Sequence, residues 1–233
     1  MEERPPQNGQ RLDGWTIVFD LDGTLVNTAP DLIGALNAVV GPMGVPTIHL
    51  ADVDTLIGRG AKAMIEAALL RAPHIEAEPD MDRLFEAFVA HYRANIAVRS
   101  HLYEGVVPAL QALSDLGAKL CVCTNKTQAL SEQLLGEMGL AQHFQAVIGA
   151  DSVAQRKPDA GHVRAAISAA GGQVSKSVFV GDSRTDESAA RNAGLPFIFV
   201  PFGYEAAPAD EIKKAGVLHN YSGLLGLVVS VLS

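Results

Sequence analysis

The sequence predicts an α/β fold: a three-layer, Rossmann-like parallel sheet core with an inserted all-helical cap domain. Short, continuously apolar runs recur along the chain, each followed by polar residues and then a helical pattern. Such runs belong to strands buried on both faces of a parallel sheet. A long stretch without convincing strands separates the first run from the second, far more than one crossover helix needs.

The predicted strands are Thr16 to Asp20, Lys119 to Cys123, Gln145 to Gly149, Ser177 to Gly181 and Pro196 to Val200. Parallel sheets place their sites at the carboxyl ends of the strands. Polar residues cluster there: Asp20 and Asp22, then Thr124 and Asn125, then Asp151 leading to Lys157, then Asp182 and Asp186. Within the insert, apolar periodicity predicts helices over Pro30 to Val40, Gly60 to Leu70 and Met81 to Val98. Gly41-Pro42, Pro46, Pro73 and Pro79 separate them. The insert starts just after the Asp20–Asp22 pair, so it is expected to lie over the strand ends. The resulting division is a flexible tail over 1–13, a core over 14–27 and 101–233, and a helical cap over 28–100.

Composition narrows the function classes. Hydrophobic residues make up 48 % of 233, enough for a substantial core. A formal net charge of -8 argues against a nucleic-acid partner, which calls for a basic surface. It does not exclude an anionic substrate, because a metal and a few placed cations reverse the local field. Leu224 to Leu232 is apolar but far short of the ~20 residues a membrane span requires. It reads as a terminal helix on the core, with no membrane partner expected. Cys121 and Cys123 read as small hydrophobes in a buried strand, compatible with a reducing cytoplasm. The start of the chain is polar and shows no signal peptide. The seven histidines show no metal-ligand spacing and read as surface or interface residues.

Four segments carry chemistry. In Asp20-Leu21-Asp22-Gly23-Thr24 two carboxylates at i, i+2 project together from a strand end. Such a pair repels unless a cation lies between its members or one holds a proton. Either arrangement suits phosphoryl transfer, with one carboxylate as nucleophile and one as proton carrier. Thr124 and Asn125 offer uncharged hydrogen-bond donors for phosphoryl oxygens; Asn125 or Thr127 could instead cap the next helix. In Arg156-Lys157-Pro158-Asp159 the proline suits a first helical turn and holds Lys157 extended, facing the carboxylates. In Gly181-Asp182-Ser183-Arg184-Thr185-Asp186 the glycine allows close backbone approach, and two carboxylates at i, i+4 share one side. Hard oxygen ligands of this kind suit magnesium.

Taken with Lys126 and Lys157-Pro158, these segments resemble the four motifs of haloacid-dehalogenase-superfamily phosphatases, and the insert resembles their small helical cap. Thr124-Asn125-Lys126 and the entry Leu25-Val26-Asn27-Thr28-Ala29-Pro30-Asp31-Leu32 most resemble phosphoglycolate phosphatases. Asn27 departs from the Asp of many relatives, at the hinge into the cap. The resemblance implies Asp20 as nucleophile, forming an aspartyl-phosphate, and Asp22 as the acid and base. It implies magnesium held by the side chains of Asp20 and Asp182 and the backbone carbonyl of Asp22, with Asp186 orienting the metal shell. Thr124, Asn125 and Lys157 would hold the phosphoryl group. Arg59, between Gly58 and Gly60, would grip the substrate carboxylate. The implied substrate is a small anionic phosphorylated metabolite, 2-phosphoglycolate first. A hexose-phosphate mutase and a broad sugar- or nucleotide-phosphate phosphatase are the alternatives, in a monomer or small homo-oligomer.

Overall fold

A computed structural model describes residues 11–52, 60–72, 79–204 and 211–232. Its main sheet is built from β1 (Thr16–Phe19), β4 (Lys119–Cys123), β5 (Ala146–Ile148), β6 (Ser177–Gly181), β7 (Phe197–Phe199) and β8 (Gly216–Val217). The order is β5-β4-β1-β6-β7-β8, and every pairing is parallel. Thr16 lies opposite Lys119 on one side and Ser177 on the other, so β1 sits in the middle. The chain runs outward from β1 through β4 to β5, then returns to the opposite side at β6. Ligands of open α/β sheets bind at such a reversal.

Both faces of the sheet are buried, and the strand residues alternate between two cores. Ile17, Phe19, Leu120, Val122, Val178 and Val180 pack on one side. Val18, Cys121, Cys123 and Phe179 pack on the other. The two cysteines are free and fully buried, as expected of small hydrophobes. Burial pushes the Cys123 thiol up to about 12. Helices α4 (Val106–Asp115), α5 (Gln128–Glu137), α6 (Ala160–Ala169), α7 (Arg184–Ala193) and α8 (Leu224–Leu232) cover the sheet. The terminal helix α8 packs on α4 and β8 through the buried Leu224 and Val228. No helix among the described residues is long and apolar enough to cross a membrane.

Two further strands, β2 (Val26–Asn27) and β3 (His101–Leu102), pair antiparallel outside the main sheet. Between them lie the helices of the insert: α1 (Ala29–Val40), α2 (Ala61–Leu69) and α3 (Met81–Ala94). The chain therefore enters and leaves the cap side by side. Asp31, on α1, locks this crossing. Its carboxylate accepts the backbone N–H groups of Arg99 and Ser100 and the Ser100 hydroxyl, at 2.7–3.1 Å. Burial pushes the Asp31 carboxyl up, but the hydrogen bonds from Arg99 and Ser100 more than reverse this and hold it below the usual value. A depressed folded value stabilises the protein above the unfolded value and ceases to do so as pH falls through the folded one. Asp31→Ala is expected to destabilise the protein by about 2–3 kcal/mol at pH 7, leaving two backbone donors unpaired. That difference should shrink as pH drops below about 4. Urea denaturation of both proteins at pH 7 and pH 3 checks it; an unchanged midpoint at pH 7 would contradict it.

The structure corrects several expectations. Helix α3 ends at Ala94, four residues before the predicted Val98. Asn95 caps it, donating its side-chain amide to the His91 carbonyl at 2.8 Å, while Ile96 beyond the helix still fills the core. An apolar residue at helical spacing therefore extended the pattern past the true end. Leu12, inside the expected tail, is buried at 1 % exposure, and its N–H bonds the Leu116 carbonyl. Residues 1–10 lie outside the described residues.

Candidate active site

The polar residues at the strand ends converge beneath the cap. Asp20 follows β1, and the turn Leu21–Leu25 then folds tightly back. Gly23 sits there at φ +82°, where a Cβ would collide with the Asp182 carboxylate. Asp20, Asp182 and Asp186 each offer an oxygen within 4.8 Å of the others, all in buried positions. Lys157 is their counter-ion, with Nζ 2.8 Å from Asp20 Oδ1 and 2.7 Å from Asp186 Oδ1, and a side chain 2 % exposed. The one ammonium thus meets two of the three carboxylates, and Asp182 has no ion pair among the described residues.

The electrostatics follow from that imbalance. Burial, then the Asp186 charge, push the Asp20 carboxyl up to about 7 against the pull of Lys157. Burial, then Asp186 and Asp20, raise Asp182 well above the usual carboxylate range. Burial alone would lower Lys157, but Asp186 and Asp20 more than reverse it, so the lysine stays charged. Asp20 Oδ1 has no hydrogen bond beyond that ion pair. Hard oxygen donors in excess of their cations, one of them short of partners, fit a divalent cation.

Local structure explains each position. Ser183 caps α7 and forms a capping box with Asp186. Its hydroxyl accepts from the Asp186 N–H, and Asp186 Oδ2 accepts from the Ser183 N–H at 3.1 Å. The second Asp186 oxygen takes Lys157, so both of its oxygens are committed. Asp182 accepts from the Thr24 hydroxyl at 2.9 Å and from the Tyr204 N–H at 2.7 Å. A Cβ on Gly181 would meet Asp186 Cβ at 2.6 Å, so the glycine allows the close approach the sequence implied.

Asp22 is not among the three clustered carboxylates, although its charge still helps raise the Asp20 carboxyl. The strand ends at Phe19, and Asp22 lies in the turn that follows. One Asp22 oxygen accepts from the Thr28 hydroxyl at 2.7 Å and the other lies 2.8 Å from Lys126 Nζ. Each carboxylate of the pair therefore has its own lysine. Thr124 is buried after β4, with its hydroxyl accepting from the Lys126 N–H at 3.2 Å. Asn125 does not cap a helix: its amide donates to the Lys157 carbonyl at 3.1 Å, and its Oδ1 is buried without a partner. Thr127 is the N-cap residue of α5, but its side chain makes no capping bond; Asp151 accepts the Gln128 N–H instead, at 2.7 Å. Pro158 lies before α6, outside its first turn, because Asp159 is the N-cap. Arg59 lies outside the described residues.

Several residues take roles that the sequence did not assign. His162 is fully buried, not on the surface. Its Nδ1 accepts the Lys157 backbone N–H at 3.1 Å and its Nε2 faces the Ile148 carbonyl at 3.1 Å. Burial lowers its pKa, and a neutral ring protonated on Nε2 satisfies both bonds. Lys126 reaches Asp22 and also the Tyr92 hydroxyl of α3, at 3.1 Å. The Tyr204 hydroxyl accepts the N–H groups of Thr28 and Ala29 and donates to Asn27 Oδ1 at 3.0 Å. Tyr204 thus ties Asp182 to the cap entry, and the departing Asn27 supplies its acceptor. Lys126 and Tyr204 act through contacts distant in sequence, which spacing does not mark. A cavity of about 820 Å³ opens between cap and core, lined by the cluster and by Tyr92 and Phe88 of α3.

The comparisons agree with this geometry. Phosphoglycolate phosphatase of Caulobacter vibrioides is 46 % identical over 211 residues, covering 90 % of this chain and 89 % of that one. Phosphoglycolate phosphatase of Agrobacterium fabrum is 43 % identical, covering 89 % of each. A crystal structure described as a predicted phosphoglycolate phosphatase from Haemophilus somnus superposes with a TM-score of 0.86 at 29 % identity, covering 94 % of this chain and 99 % of that one. Residues 17–200 match the haloacid dehalogenase-like hydrolases. With its parallel sheet, helical cap and buried carboxylate cluster, the chain is an enzyme that belongs to the haloacid dehalogenase-like hydrolase family.

Proposed function

We propose that the protein is a magnesium-dependent phosphatase that hydrolyses 2-phosphoglycolate through an aspartyl-phosphate on Asp20. The observation that carries the chemistry is the pairing of the two carboxylates with different lysines: Asp20 with Lys157 and Asp22 with Lys126. One position suits a nucleophile and the other a proton carrier. The substrate is inferred from the two relatives named phosphoglycolate phosphatase.

In the first step Asp20 attacks phosphorus, forming the Asp20–phosphoryl bond as the ester bond to the alcohol breaks. Asp22 delivers its proton to the departing oxygen. Asp22 then takes a proton from water, which attacks phosphorus and releases phosphate from Asp20. Lys157 and Thr124 hold the phosphoryl oxygens, with Asn125 beside them. Asp20, Asp182 and the backbone carbonyl of Asp22 would hold magnesium, which supplies charge neutralisation at the phosphoryl group when bound. Asp186, its oxygens committed to Lys157 and Ser183, would orient the metal shell. Residues 28–100 form the cap that closes over these steps and 14–27 with 101–233 the core. The free, buried cysteines are in keeping with a cytoplasmic enzyme.

Phosphate release with magnesium, from a panel of 2-phosphoglycolate, hexose phosphates and nucleotides, tests this reading. Strong preference for 2-phosphoglycolate is expected, with Asp20→Asn at least about 10⁴-fold slower. Activity spread evenly over the panel would discard the substrate. Interconversion of hexose phosphates without phosphate release would discard the hydrolase.

A further inference from the structure

The phosphoryl-transfer steps give no task to the ammonium of Lys126. Its side chain is 5 % exposed and lines the cavity between cap and core. It is held from both sides, 2.8 Å from Asp22 Oδ2 on the core and 3.1 Å from the Tyr92 hydroxyl on the cap. Its Nζ also lies 4.7 Å from the Tyr92 ring centroid. An ammonium has three N–H donors, and two have partners here. A buried cation with a donor to spare, at a cavity wall, is a site for an anion.

Its place relative to the chemistry says which anion. The phosphoryl group belongs with Asp20 and Lys157. Asp22 acts on the departing oxygen, so whatever that oxygen carries lies on the Asp22 side, where Lys126 stands. In 2-phosphoglycolate a single methylene separates the ester oxygen from a carboxylate. Leu32, Phe88, Val89 and Leu130 add apolar surface to the same cavity, alongside polar residues that include Lys62, Glu66 and Arg156.

We propose that Lys126, with the Tyr92 hydroxyl beside it, anchors the substrate carboxylate and selects small phosphorylated acids over neutral phosphate esters. This rests on the substrate reading above. Because Lys126 belongs to the core and Tyr92 to the cap, a carboxylate bound there bridges the two and favours the closed arrangement.

The test compares kcat/KM for 2-phosphoglycolate with that for ethyl phosphate, which has the same ester but no carboxylate. Wild type is expected to prefer 2-phosphoglycolate by roughly 100-fold or more. Lys126→Met lowers both through its effect beside Asp22, but the preference itself should collapse to within about threefold. Tyr92→Phe keeps the ring and the fold, and should raise KM for 2-phosphoglycolate about fivefold while sparing ethyl phosphate. It carries the test alone if the methionine variant does not fold. Both substrates falling in proportion in the folded variants would show that Lys126 acts only through Asp22, and would overturn the proposal. A wild type without preference would overturn the substrate reading itself, and Lys126 as carboxylate anchor with it.

Discussion

Lys157→Met is expected to lower kcat by roughly 10³-fold and to destabilise the metal-free protein by about 3–5 kcal/mol near neutral pH. The lysine is 2 % exposed and faces both Asp20 and Asp186. Methionine fills similar volume but leaves three buried carboxylates without a cation. The pH dependence carries a sign. Burial and Asp186 already raise the Asp20 carboxyl from 3.8 to about 7. The folded chain therefore binds more protons than the unfolded chain between about pH 4 and 7. Metal-free protein should lose stability as pH rises through that window. Without Lys157 the loss steepens, because the ammonium no longer opposes the rise of the Asp20 carboxyl. Urea denaturation in a chelator across this range reads the effect. A methionine variant as stable and as active as wild type would contradict the assignment of Lys157 as the balancing charge.

Asp182→Asn should move stability in the opposite direction. In a chelator the variant is expected to be more stable than wild type, by about 1 kcal/mol, because one buried like charge is gone. Its hydrogen bonds survive the change. The carboxamide oxygen can still accept from the Tyr204 N–H, and the Thr24 hydroxyl can turn to accept from the new amide. Magnesium reverses the ranking. At 100 times its dissociation constant a cation bound to the native site adds about 2.7 kcal/mol to wild type, and much less to the variant. Activity should fall by about 10²-fold or more. Thermal unfolding with and without magnesium separates these cases. Equal magnesium stabilisation in both proteins would remove Asp182 from the metal site.

The two substitutions locate what the sequence could say. The sheet was legible because strands buried on both faces are written as unbroken apolar runs, and their ends carried Asp20, Thr124, Lys157 and Asp182. The short strands β2, β3 and β8 were not, since two residues cannot display a period. The carboxylates of the site were legible by type and order. Their partners were not: Lys126 meets Asp22 across 104 positions and Tyr204 meets Asn27 across 177. His162 shows the same limit. It stands five residues from Lys157, yet its other ring nitrogen faces the Ile148 carbonyl of β5. Nothing in the local pattern separates such a histidine from an exposed one.

In the proposed reaction Asp20 carries the phosphoryl group. Rapid acid quench of the enzyme with magnesium and substrate labelled in its phosphate, followed by peptide mapping, addresses it directly. A hydroxylamine-labile label is expected on the peptide containing Asp20, formed before steady-state turnover and absent from Asp20→Asn. A label on another residue, or sustained phosphate release with no labelled protein and no burst of the released alcohol, would contradict it.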